Sequence, residues 1–456
     1  MRRSRSLLLA LAAAVITAGL TLVAVSPASA AATTASFAKV SDWGSGWQGE
    51  YTITNGGSSA INGWQVEFTL PAGTSAGSYW DSLLTQSGQR YTFRNREYNG
   101  TIAPGATVKF GFVGSGPGSP SACLLNGASC TGGTTPPPTT TPPPAGTTPV
   151  AKNGQLRVCG KQLCNAQGKP IQLRGMSTHG LQWYANCVND ASLNVLANEW
   201  NADVLRISMY IQEGGYETDP AGFTAKVHDY IEKATARGMY AIVDWHMLSP
   251  GDPNFNLARA RTFFTEIANR HKNKTNILYE IANEPSDVHW SSIKSYADQL
   301  IPVIRAQDPD GVVLVGTEDW SSLGASGDGQ GVARILANPV NASNIMYTFH
   351  FYAASHDDYY LNTFRDAIAK LPMFVTEFGT QTASGDGGNN FGQAQRYLDL
   401  MAQNKVSWVN WNFSDDFRTG AVFTTGTCAA GAYSGTSRLK EAGVWIRDRI
   451  RTADDF

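Results

Sequence analysis

The chain has 456 residues, enough for two or three domains, and its composition is that of a globular protein, with 42% hydrophobic and 16% charged residues. Its formal net charge of −2 at pH 7 argues against nucleic acid as a ligand. The 46 glycines and 12 tryptophans are more than an average chain of this size contains, and flat indole rings suit the apolar faces of sugar rings.

The first 30 residues have the features of an export signal. Three arginines near the start precede an apolar stretch that reaches Val25, and Ala28-Ser29-Ala30 is a small-residue cleavage site. The sequence therefore predicts a signal peptide over residues 1–30 and a secreted, extracellular protein, although the long apolar stretch leaves an uncleaved anchor open. Later segments are too short or too charged to span a bilayer, so we expect no membrane contact after cleavage.

Residues 31–130 have the pattern of an all-β domain. Apolar residues alternate with polar ones over 49–54, 64–70 and 108–113, and Asn99-Gly100 and Pro104-Gly105 are turn signals. These features predict a small antiparallel β-sandwich. Trp64 lies within an alternating segment, so we expect it in the core.

Residues 131–149 consist almost entirely of threonine and proline and contain no large apolar side chain. Such a segment cannot bury enough surface to offset the entropy of ordering. Proline runs favour the extended polyproline II conformation, so the sequence predicts a semi-rigid linker, whose threonines could be O-glycosylated.

After the linker, the period of the pattern changes. Nearly continuous apolar runs alternate with amphipathic helical stretches such as 223–237 and 258–271, as expected for parallel strands buried on both faces. The runs are residues 171–177, 204–210, 240–246, 277–284, 312–317, 345–352, 373–379 and 407–414. Eight strand–helix units over residues 150–456 predict an α/β fold, the (β/α)8 TIM barrel.

Six cysteines in a chain with an export signal favour disulfide bonds. Cys123 with Cys130, and Cys159 with Cys164, are close enough in the sequence to close short loops. The third pair is then Cys187–Cys428, although other pairings stay open at this point. The cysteines lack the paired Cys-x-x-Cys spacing of zinc sites, so we expect no metal.

Two glutamates stand at the ends of two of these runs. Glu284 closes the fourth run, and Glu377 lies near the end of the seventh. Barrel active sites lie at the C-terminal ends of the strands, and two carboxylates facing one cleft can cleave a glycosidic bond with retention of configuration. Other polar or aromatic residues stand at or near the ends of further runs: His179, Arg206, Tyr210, His246, Asn283, His350, Tyr352 and Trp411. Each alone has a structural explanation, but together they predict an active site, because unpaired polar groups there cost free energy.

Six motifs in a fixed order give the second domain a resemblance to a known family. They are Leu205-Arg206-Ile207-Ser208, Asp244-Trp245-His246, Ile281-Ala282-Asn283-Glu284-Pro285, Phe349-His350-Phe351-Tyr352, Val375-Thr376-Glu377-Phe378-Gly379 and Trp411-Asn412-Phe413-Ser414. Over about residues 155–450 the chain resembles glycoside hydrolase family 5, in the endoglucanase branch. The resemblance implies a TIM barrel that hydrolyses polysaccharide without a metal or an organic cofactor.

The same resemblance implies roles for the site residues. Glu284 is the general acid/base and Glu377 the nucleophile, and the nearby negative charge of Glu377 helps Glu284 to keep its proton. Arg206 and the Tyr352 hydroxyl hold Glu377 ionised. The other implied roles concern the substrate: Asn283 contacts the 2-hydroxyl, His246 and His350 bind sugar hydroxyls or orient the carboxylates, Trp411 lies under the sugar at the cleavage point, and His179, Trp183 and Tyr210 line the neighbouring subsite. A lysine that related enzymes often have after the last strand is missing, and Arg418 is a candidate substitute.

The first domain resembles family 2 carbohydrate-binding modules over about residues 35–130. The stretches that carry this resemblance include Ser41-Asp42-Trp43-Gly44, Asn62-Gly63-Trp64, Tyr79-Trp80, Tyr98-Asn99-Gly100-Thr101 and Phe110-Gly111-Phe112. Such modules place three exposed aromatic residues in a row on crystalline cellulose, and the matching positions here are Trp43, Trp80 and Tyr98. The usual N-terminal cysteine of these modules is missing, so Cys130 must pair elsewhere, and Cys123 is at hand.

These observations lead to the expectation of a secreted endo-β-1,4-glucanase (cellulase) that acts as a monomer. Its partners are cellulose and soluble β-1,4-glucans. A β-mannanase or xyloglucanase on the same barrel is the main alternative. A non-enzymatic cellulose-binding protein is disfavoured, because both carboxylates and their supporting residues are present.

Overall fold

The computed structural model describes residues 33–130 and 146–456, apart from residues 45, 72, 117, 127 and 455. The predicted signal peptide and residues 131–145 of the predicted linker lie outside the described residues. The described chain forms two compact units, one before and one after residues 131–145. Among the helices of these ranges, none has the length and apolar character needed to cross a membrane.

The first unit is a β-sandwich. Its strands are β1 Thr34–Asp42, β2 Gly46–Thr54, β3 Ile61–Asn62, β4 Gln65–Thr69, β5 Ser75–Trp80, β6 Leu83–Ser87, β7 Arg90–Arg94, β8 Thr101–Ile102, β9 Thr107–Ser115, β10 Ser121–Leu125 and β11 Ala128–Ser129. One sheet has the order β1-β2-β9-β5 and the other β11-β10-β4-β7-β6, and β3 pairs with β8. Neighbouring strands are antiparallel, so the predicted sandwich is confirmed.

Strand alternation builds the core between the two sheets. Along β2, Trp47, Tyr51 and Ile53 are buried, while Glu50 lies on the outer face. Trp64 is 2% exposed, as the sequence analysis expects of a core residue. The aromatic rings of the core stack on one another; the ring centroids of Tyr51 and Phe110, for example, are 5.3 Å apart.

The second unit begins with helix α1 (Pro149–Asn153), whose first residue the sequence analysis had assigned to the linker. A hairpin of β12 (Arg157–Cys159) and β13 (Gln162–Cys164) follows. Leu163 of the hairpin packs with Val204 and Tyr240, the first residues of two barrel strands. The hairpin therefore covers the N-terminal end of the barrel.

Eight parallel strands form a closed barrel, which confirms the predicted fold. They are β14 Arg174–Ser177, β15 Val204–Tyr210, β16 Tyr240–His246, β17 Ile277–Glu280, β18 Val312–Val315, β19 Ile345–Tyr352, β20 Met373–Gly379 and β21 Trp408–Trp411. The surrounding helices are α2 Asp190–Asn198, α3 Pro220–Ala236, α4 Leu257–His271, α5 Trp290–Arg305, α6 Glu318–Ser321, α7 Gly331–Ala337, α8 Asp358–Lys370, α9 Phe391–Asn404, α10 Thr427–Ala430 and α11 Glu441–Ile450. Four strands end earlier or start later than the apolar runs, because the flanking residues form the connecting loops.

Alternation along the barrel strands decides which side chains enter the barrel. On β15, Leu205, Ile207 and Met209 pack in the layer between strands and helices. Val204 packs in a separate cluster inside the barrel, and Arg206 shares its side of the strand. Residues two apart point to the same face of a strand, so an arginine is carried into the barrel interior.

Three disulfide bonds link the six cysteines. Cys123 bonds to Cys130, Cys159 to Cys164, and Cys187 to Cys428. These are the pairs that the sequence analysis expects. The first lies within the sandwich and the second within the β12–β13 hairpin. The third joins residues 241 positions apart, from the loop after β14 to the short helix α10.

Candidate active site

A cleft of about 790 Å³ lies at the C-terminal ends of the barrel strands. Its lining includes most of the residues that the sequence analysis singled out, among them His179, Trp183, Tyr210, His246, Glu284, His350, Tyr352, Glu377 and Trp411. Arg206 and Asn283 are fully buried beneath it. The predicted site residues therefore converge, although the strands that contribute them are far apart in sequence.

Glu284 and Glu377 face each other in this cleft. A carboxylate oxygen of each, together with a ring nitrogen of His350, lie within 4.8 Å of one another. Glu284 follows the end of β17, and Glu377 lies on β20. The pairing of β19 with β20 shifts by one residue, so that Phe374 opposes Thr348 whereas Glu377 opposes His350. This irregularity turns Glu377 into the barrel, since strict alternation from Phe374 would turn Thr376 inward and Glu377 outward.

Both oxygens of Glu377 accept hydrogen bonds. Nη1 of Arg206 donates to Oε2 at 3.0 Å, and the hydroxyl of Tyr352 donates to Oε1 at 2.5 Å. Burial and the negative charge of Glu377 raise the pKa of the Tyr352 hydroxyl well above its usual range, so this group remains a donor. A guanidinium and a phenol thus hold the two oxygens of this carboxylate in place.

The second carboxylate is paired with a histidine. Nδ1 of His350 lies 2.8 Å from Oε1 of Glu284, and its Nε2 lies 2.8 Å from the hydroxyl of Thr376. Burial lowers the pKa of His350, but the contacts with Glu280 and Glu284 outweigh it and raise the pKa to about 9. The imidazole of His350, beside Glu284, is therefore protonated at neutral pH.

A second layer of polar residues lies below the cleft. Oδ1 of Asn283 accepts a hydrogen bond from Nη2 of Arg206 at 2.6 Å, and its amide nitrogen lies 3.3 Å from the carbonyl oxygen of Met247 and from Nε2 of His246. Nδ1 of His246 lies 2.7 Å from Oδ2 of Asp244. Burial lowers the pKa of His246 to about 3, so this imidazole is neutral. The Asn283 amide is thus engaged by protein groups, and its predicted contact with a sugar 2-hydroxyl stays a prediction.

Aromatic rings form one wall of the cleft. The ring centroid of Trp411 lies 5.0 Å from that of His179 and 5.3 Å from that of His246. Tyr210 stacks on His246 at 4.0 Å, and Trp183 meets Tyr210 edge to face at 5.1 Å. Burial lowers the pKa of His179 to about 4. These neutral, flat groups offer a surface against which sugar rings can pack.

Sequence reasoning missed several residues that line the cleft. Trp320 is 46% exposed and follows β18, and its backbone is left-handed with φ 60°. It lies only a few residues past the end of the fifth apolar run, and this position close to a strand end is the sequence signal that marks it. Glu213 and Phe417 come from longer loops, where no periodic signal marks them. Arg418, which was named as a candidate substitute for the missing lysine, does line the cleft and forms an ion pair with Asp416 at 3.2 Å.

Within the part of the chain that the structure describes, two groups of residues could be considered as metal sites. Glu284, His350 and Glu377 bring three ligand atoms within 4.8 Å, but the Arg206 guanidinium beside Glu377 repels a cation there. Cys187, Asp415 and Cys428 form the other group, and their proximity follows from the disulfide bond between the two cysteines.

The outer face of one sheet of the sandwich presents aromatic residues. Trp43 is 53% and Tyr98 71% exposed, whereas Trp80 is partly buried. The Trp80 indole covers Gly111 so closely that a Cβ there would lie 2.2 Å from Cζ2, and Trp43 covers Gly46 in a similar way at 3.0 Å.

The register shows that the two indoles share a face. Gly111 pairs with Glu50, and Glu50 points to the same side of β2 as Gly46. Tyr98 lies near the end of β5, because its hydroxyl donates to Oδ1 of Asp81, the residue after Trp80, at 2.7 Å.

A barrel with two facing glutamates in a cleft lined by aromatic rings is the arrangement of a glycoside hydrolase. The family model for cellulase (glycosyl hydrolase family 5) matches residues 164–417, and the model for a cellulose binding domain matches residues 33–130. The chain belongs to the cellulases of glycosyl hydrolase family 5 and carries a cellulose binding domain. It is an enzyme of the endoglucanase type, as the sequence analysis expects.

Known relatives resemble the whole chain. It is 54% identical over 453 residues to endoglucanase E-5 of Thermobifida fusca, which covers 96% of this chain and 97% of that protein. It is 50% identical over 458 residues to endoglucanase CelA of Streptomyces lividans, which covers 99% of each. The crystal structure of the catalytic domain of the Thermobifida fusca enzyme superposes with a TM-score of 0.66 at 62% identity, over 67% of this chain and 100% of that domain.

Proposed function

We propose that this protein is a secreted, retaining endo-β-1,4-glucanase that hydrolyses internal bonds of cellulose by double displacement. The spacing of its two glutamates carries the proposal. Oxygen atoms of Glu284 and Glu377 lie within 4.8 Å of each other. Retaining glycosidases have carboxyl groups about 5–5.5 Å apart, whereas inverting enzymes need about 6.5–9.5 Å to admit a water molecule.

Glu377 acts as the nucleophile in this proposal. Its ionised carboxylate attacks the anomeric carbon, and the bond from that carbon to the leaving oxygen breaks. Arg206 and Tyr352 orient the attacking group, since each donates to one carboxylate oxygen. The charge of Glu377 disappears in the covalent glycosyl ester, so its hold on these donors weakens until hydrolysis restores it.

Glu284 acts as the acid and then as the base. In the first step its proton moves to the leaving oxygen of the glycosidic bond. In the second step Glu284 takes a proton from water while that water attacks the anomeric carbon and the ester to Glu377 breaks. His350, 2.8 Å from Glu284, stabilises the carboxylate between the two transfers.

The substrate in this proposal is a β-1,4-glucan chain. The cleft presents Trp183, Tyr210 and Trp411 along one wall and Trp320 elsewhere in its lining, and rings of this kind pack on the faces of glucose units. A variant of the Thermobifida fusca catalytic domain has been solved in complex with cellotetraose. In the first unit, Trp43, Trp80 and Tyr98 would bind cellulose and bring the cleft to the polymer.

The first experiment compares Glu377→Gln and Glu284→Gln with the wild type on carboxymethylcellulose. Both variants should lose hydrolysis by a factor on the order of 10³ or more and still adsorb to cellulose. Glu441→Gln, which removes a carboxylate at the start of α11, serves as the control and should keep full activity. Retained hydrolysis by Glu377→Gln would contradict the proposed mechanism.

A second experiment tests stereochemistry and substrate. Proton NMR of the first products from a soluble cello-oligosaccharide should show the β-anomer before mutarotation, and an initial α-anomer would mean inversion. A panel of β-glucan, mannan and xyloglucan should give the highest kcat/KM on β-glucan. A rapid fall in viscosity with little reducing sugar released would support internal cleavage.

Export and the monomeric state form part of the same proposal. Expression with residues 1–30 intact should place the enzyme in the culture medium, with Ala31 as its N-terminal residue. Size-exclusion chromatography with light scattering should give the mass of one chain. An N-terminal sequence that begins at Met1 would contradict cleavage, and a dimer mass would contradict the monomer.

A further inference from the structure

One buried carboxylate connects the two halves of the catalytic machinery. Glu280, the last residue of β17, is fully buried and does not line the cleft. Its Oε2 accepts a hydrogen bond from Nε of Arg206 at 2.6 Å, and its Oε1 accepts one from Nη2 at 3.2 Å. The same Oε1 lies 3.8 Å from Nε2 of His350. Glu280 therefore contacts the partner of each catalytic glutamate.

The two contacts with Arg206 fix the plane of its guanidinium. A bidentate pair of this kind defines orientation as well as distance. With Nε and Nη2 held by Glu280, Nη1 is left to donate to Glu377 at 3.0 Å. The position of the nucleophile thus depends on a carboxylate that lies outside the cleft.

The contact between Glu280 and His350 affects Glu284, because His350 lies between the two glutamates. Burial raises the pKa of Glu280, but the Arg206 charge and the hydrogen bonds with His350 and Arg206 together outweigh burial and lower the pKa to about 2, so Glu280 stays ionised. An anion 3.8 Å from Nε2 favours the protonated imidazole, and this imidazole holds Glu284 at 2.8 Å.

We propose that Glu280 is a positioning residue, which orients the nucleophile through Arg206 and keeps a proton on the His350–Glu284 pair. The inference rests on the proposed retaining mechanism and adds a residue to it. The charged and titratable groups around His350 come from four strands: Arg206 on β15, Asp244 and His246 on β16, Glu280 at the end of β17 with Glu284 just after it, and Glu377 on β20. Glu280 is distinctive among them because it contacts both Arg206 and His350 from below the cleft.

The role of Glu280 predicts a specific pH effect. Above the pH at which the His350–Glu284 pair loses the proton that it shares, Glu284 cannot protonate the leaving oxygen, and activity falls. Removal of the Glu280 charge makes that proton easier to lose. The basic limb of the kcat profile should then move to lower pH. A group that only fills space would change kcat equally at every pH.

The test compares Glu280→Gln and Glu280→Asp with the wild type on a soluble cello-oligosaccharide between pH 4 and 10. Glu280→Gln keeps the shape but loses the charge, and we expect kcat to fall at least tenfold, KM to change less than threefold, and the basic limb to move down by one pH unit or more. Glu280→Asp keeps the charge, and its basic limb should stay within half a unit of the wild type. An unmoved limb in Glu280→Gln would overturn the inference.

NMR of the wild-type enzyme gives a test that needs no variant to fold. The ring nitrogens of His350, assigned by comparison with His350→Gln, should titrate above pH 8, and titration below pH 6.5 would overturn the inference.

Failure of the proposed function would give a different result from failure of this inference. If Glu377→Gln and Glu284→Gln keep their activity, the retaining mechanism fails. If those variants are inactive while Glu280→Gln behaves as wild type, only the role of Glu280 fails.

Discussion

The hydroxyl of Tyr352 lies 2.5 Å from Oε1 of Glu377 and donates a hydrogen bond to it. Tyr352 ends β19, and Glu377 lies on the neighbouring strand β20. Burial and the charge of Glu377 raise the pKa of this hydroxyl, so the proton stays on tyrosine throughout the working pH range. In the proposed mechanism Glu377 becomes a neutral glycosyl ester, which accepts this hydrogen bond less strongly than a carboxylate does, so Tyr352 is a sensitive probe of the proposed nucleophile.

Replacement of Tyr352 by phenylalanine should reduce kcat by about tenfold to a hundredfold, since a hydrogen bond to a charged group contributes about 1.5–3 kcal/mol. The ring remains, so the fold and the KM should change little. Steady-state kinetics on a soluble glucan measure the effect. Tyr359→Phe, on the exposed start of α8, is a matched control that should match the wild type. Equal kcat for Tyr352→Phe and the wild type would show that the bond does not serve catalysis.

Arg206→Lys should lower both activity and stability. Lysine keeps the charge, but it cannot make the forked contact that joins Glu280, Asp244 and Glu377. Removing one partner from a buried ion pair costs about 3–5 kcal/mol, and we expect a loss near the lower end because the charge remains. Denaturant unfolding of the catalytic unit measures it. Arg261→Lys, at an exposed position of α4, is the control, and an equal loss there would contradict the explanation.

The Cys187–Cys428 bond should stabilise the barrel. It closes a loop of 241 positions, and loss of a native disulfide costs about 2–5 kcal/mol. The double variant Cys187→Ser/Cys428→Ser should therefore unfold at a lower denaturant concentration, while its activity at low temperature persists. Cys123→Ser/Cys130→Ser lies in the other unit and should leave the barrel transition unchanged. An unchanged barrel transition in the first variant would contradict this role.

Buried histidines should make the folded protein sensitive to acid. Burial lowers the pKa of His246 to about 3 and the pKa values of His179, His271 and His356 to about 4. An unfolded histidine has a pKa of about 6.5, so below that pH the unfolded chain binds more protons and the free energy of unfolding falls. His350, with a raised pKa of about 9, acts in the opposite sense and loses its contribution as the pH rises from 6.5 to 9.

Urea unfolding at pH 7 and pH 5 measures this effect and should show the lower stability at pH 5. In His271→Gln, unfolding should take up fewer protons than in the wild type, by nearly one at pH 5 and by much less at pH 7, because one buried histidine is gone. His289→Gln, at an exposed position, is the control, and its free energy of unfolding should change between pH 7 and pH 5 as much as that of the wild type. If the free energy of unfolding of His271→Gln changed between pH 7 and pH 5 as much as that of the wild type, His271 would not be a source of the acid sensitivity.

Trp80→Ala should weaken adsorption to crystalline cellulose by about tenfold, as loss of one stacked aromatic ring costs on the order of 1 kcal/mol or more. Hydrolysis of a soluble glucan should not change, since Trp80 lies in the first unit. A depletion assay with cellulose measures adsorption. Leu83→Ala removes another exposed apolar side chain of that unit, from β6 in the other sheet, and should adsorb normally. Equal adsorption of both variants would contradict a role for Trp80.

Strand-end residues were predictable from the sequence because periodicity locates a strand and barrel geometry places its C-terminal end at the cleft. Glu284, His350 and Trp411 were found in this way, and the structure brings them into one cleft. Glu213 and Phe417 were missed, because they lie in loops whose paths depend on contacts with distant segments. Glu280 was missed as well. Nothing in the sequence shows whether a glutamate inside an apolar run contacts residues of the active site or only forms an ion pair that supports the fold.

The two units, the eight barrel strands and the strand-end positions of Glu284 and Glu377 could be predicted from the sequence, because alternation, spacing and motif order are local properties of the chain. The cysteine pairs were expected from their spacing, but the spacing did not exclude other pairings. The directions and contacts of these side chains depend on the folded barrel. Glu377 enters the barrel through an irregular pairing of β19 with β20, which strict alternation does not predict. The path from Glu377 through Arg206, Glu280 and His350 to Glu284 joins residues from four strands, and such a network exists only after the barrel has closed.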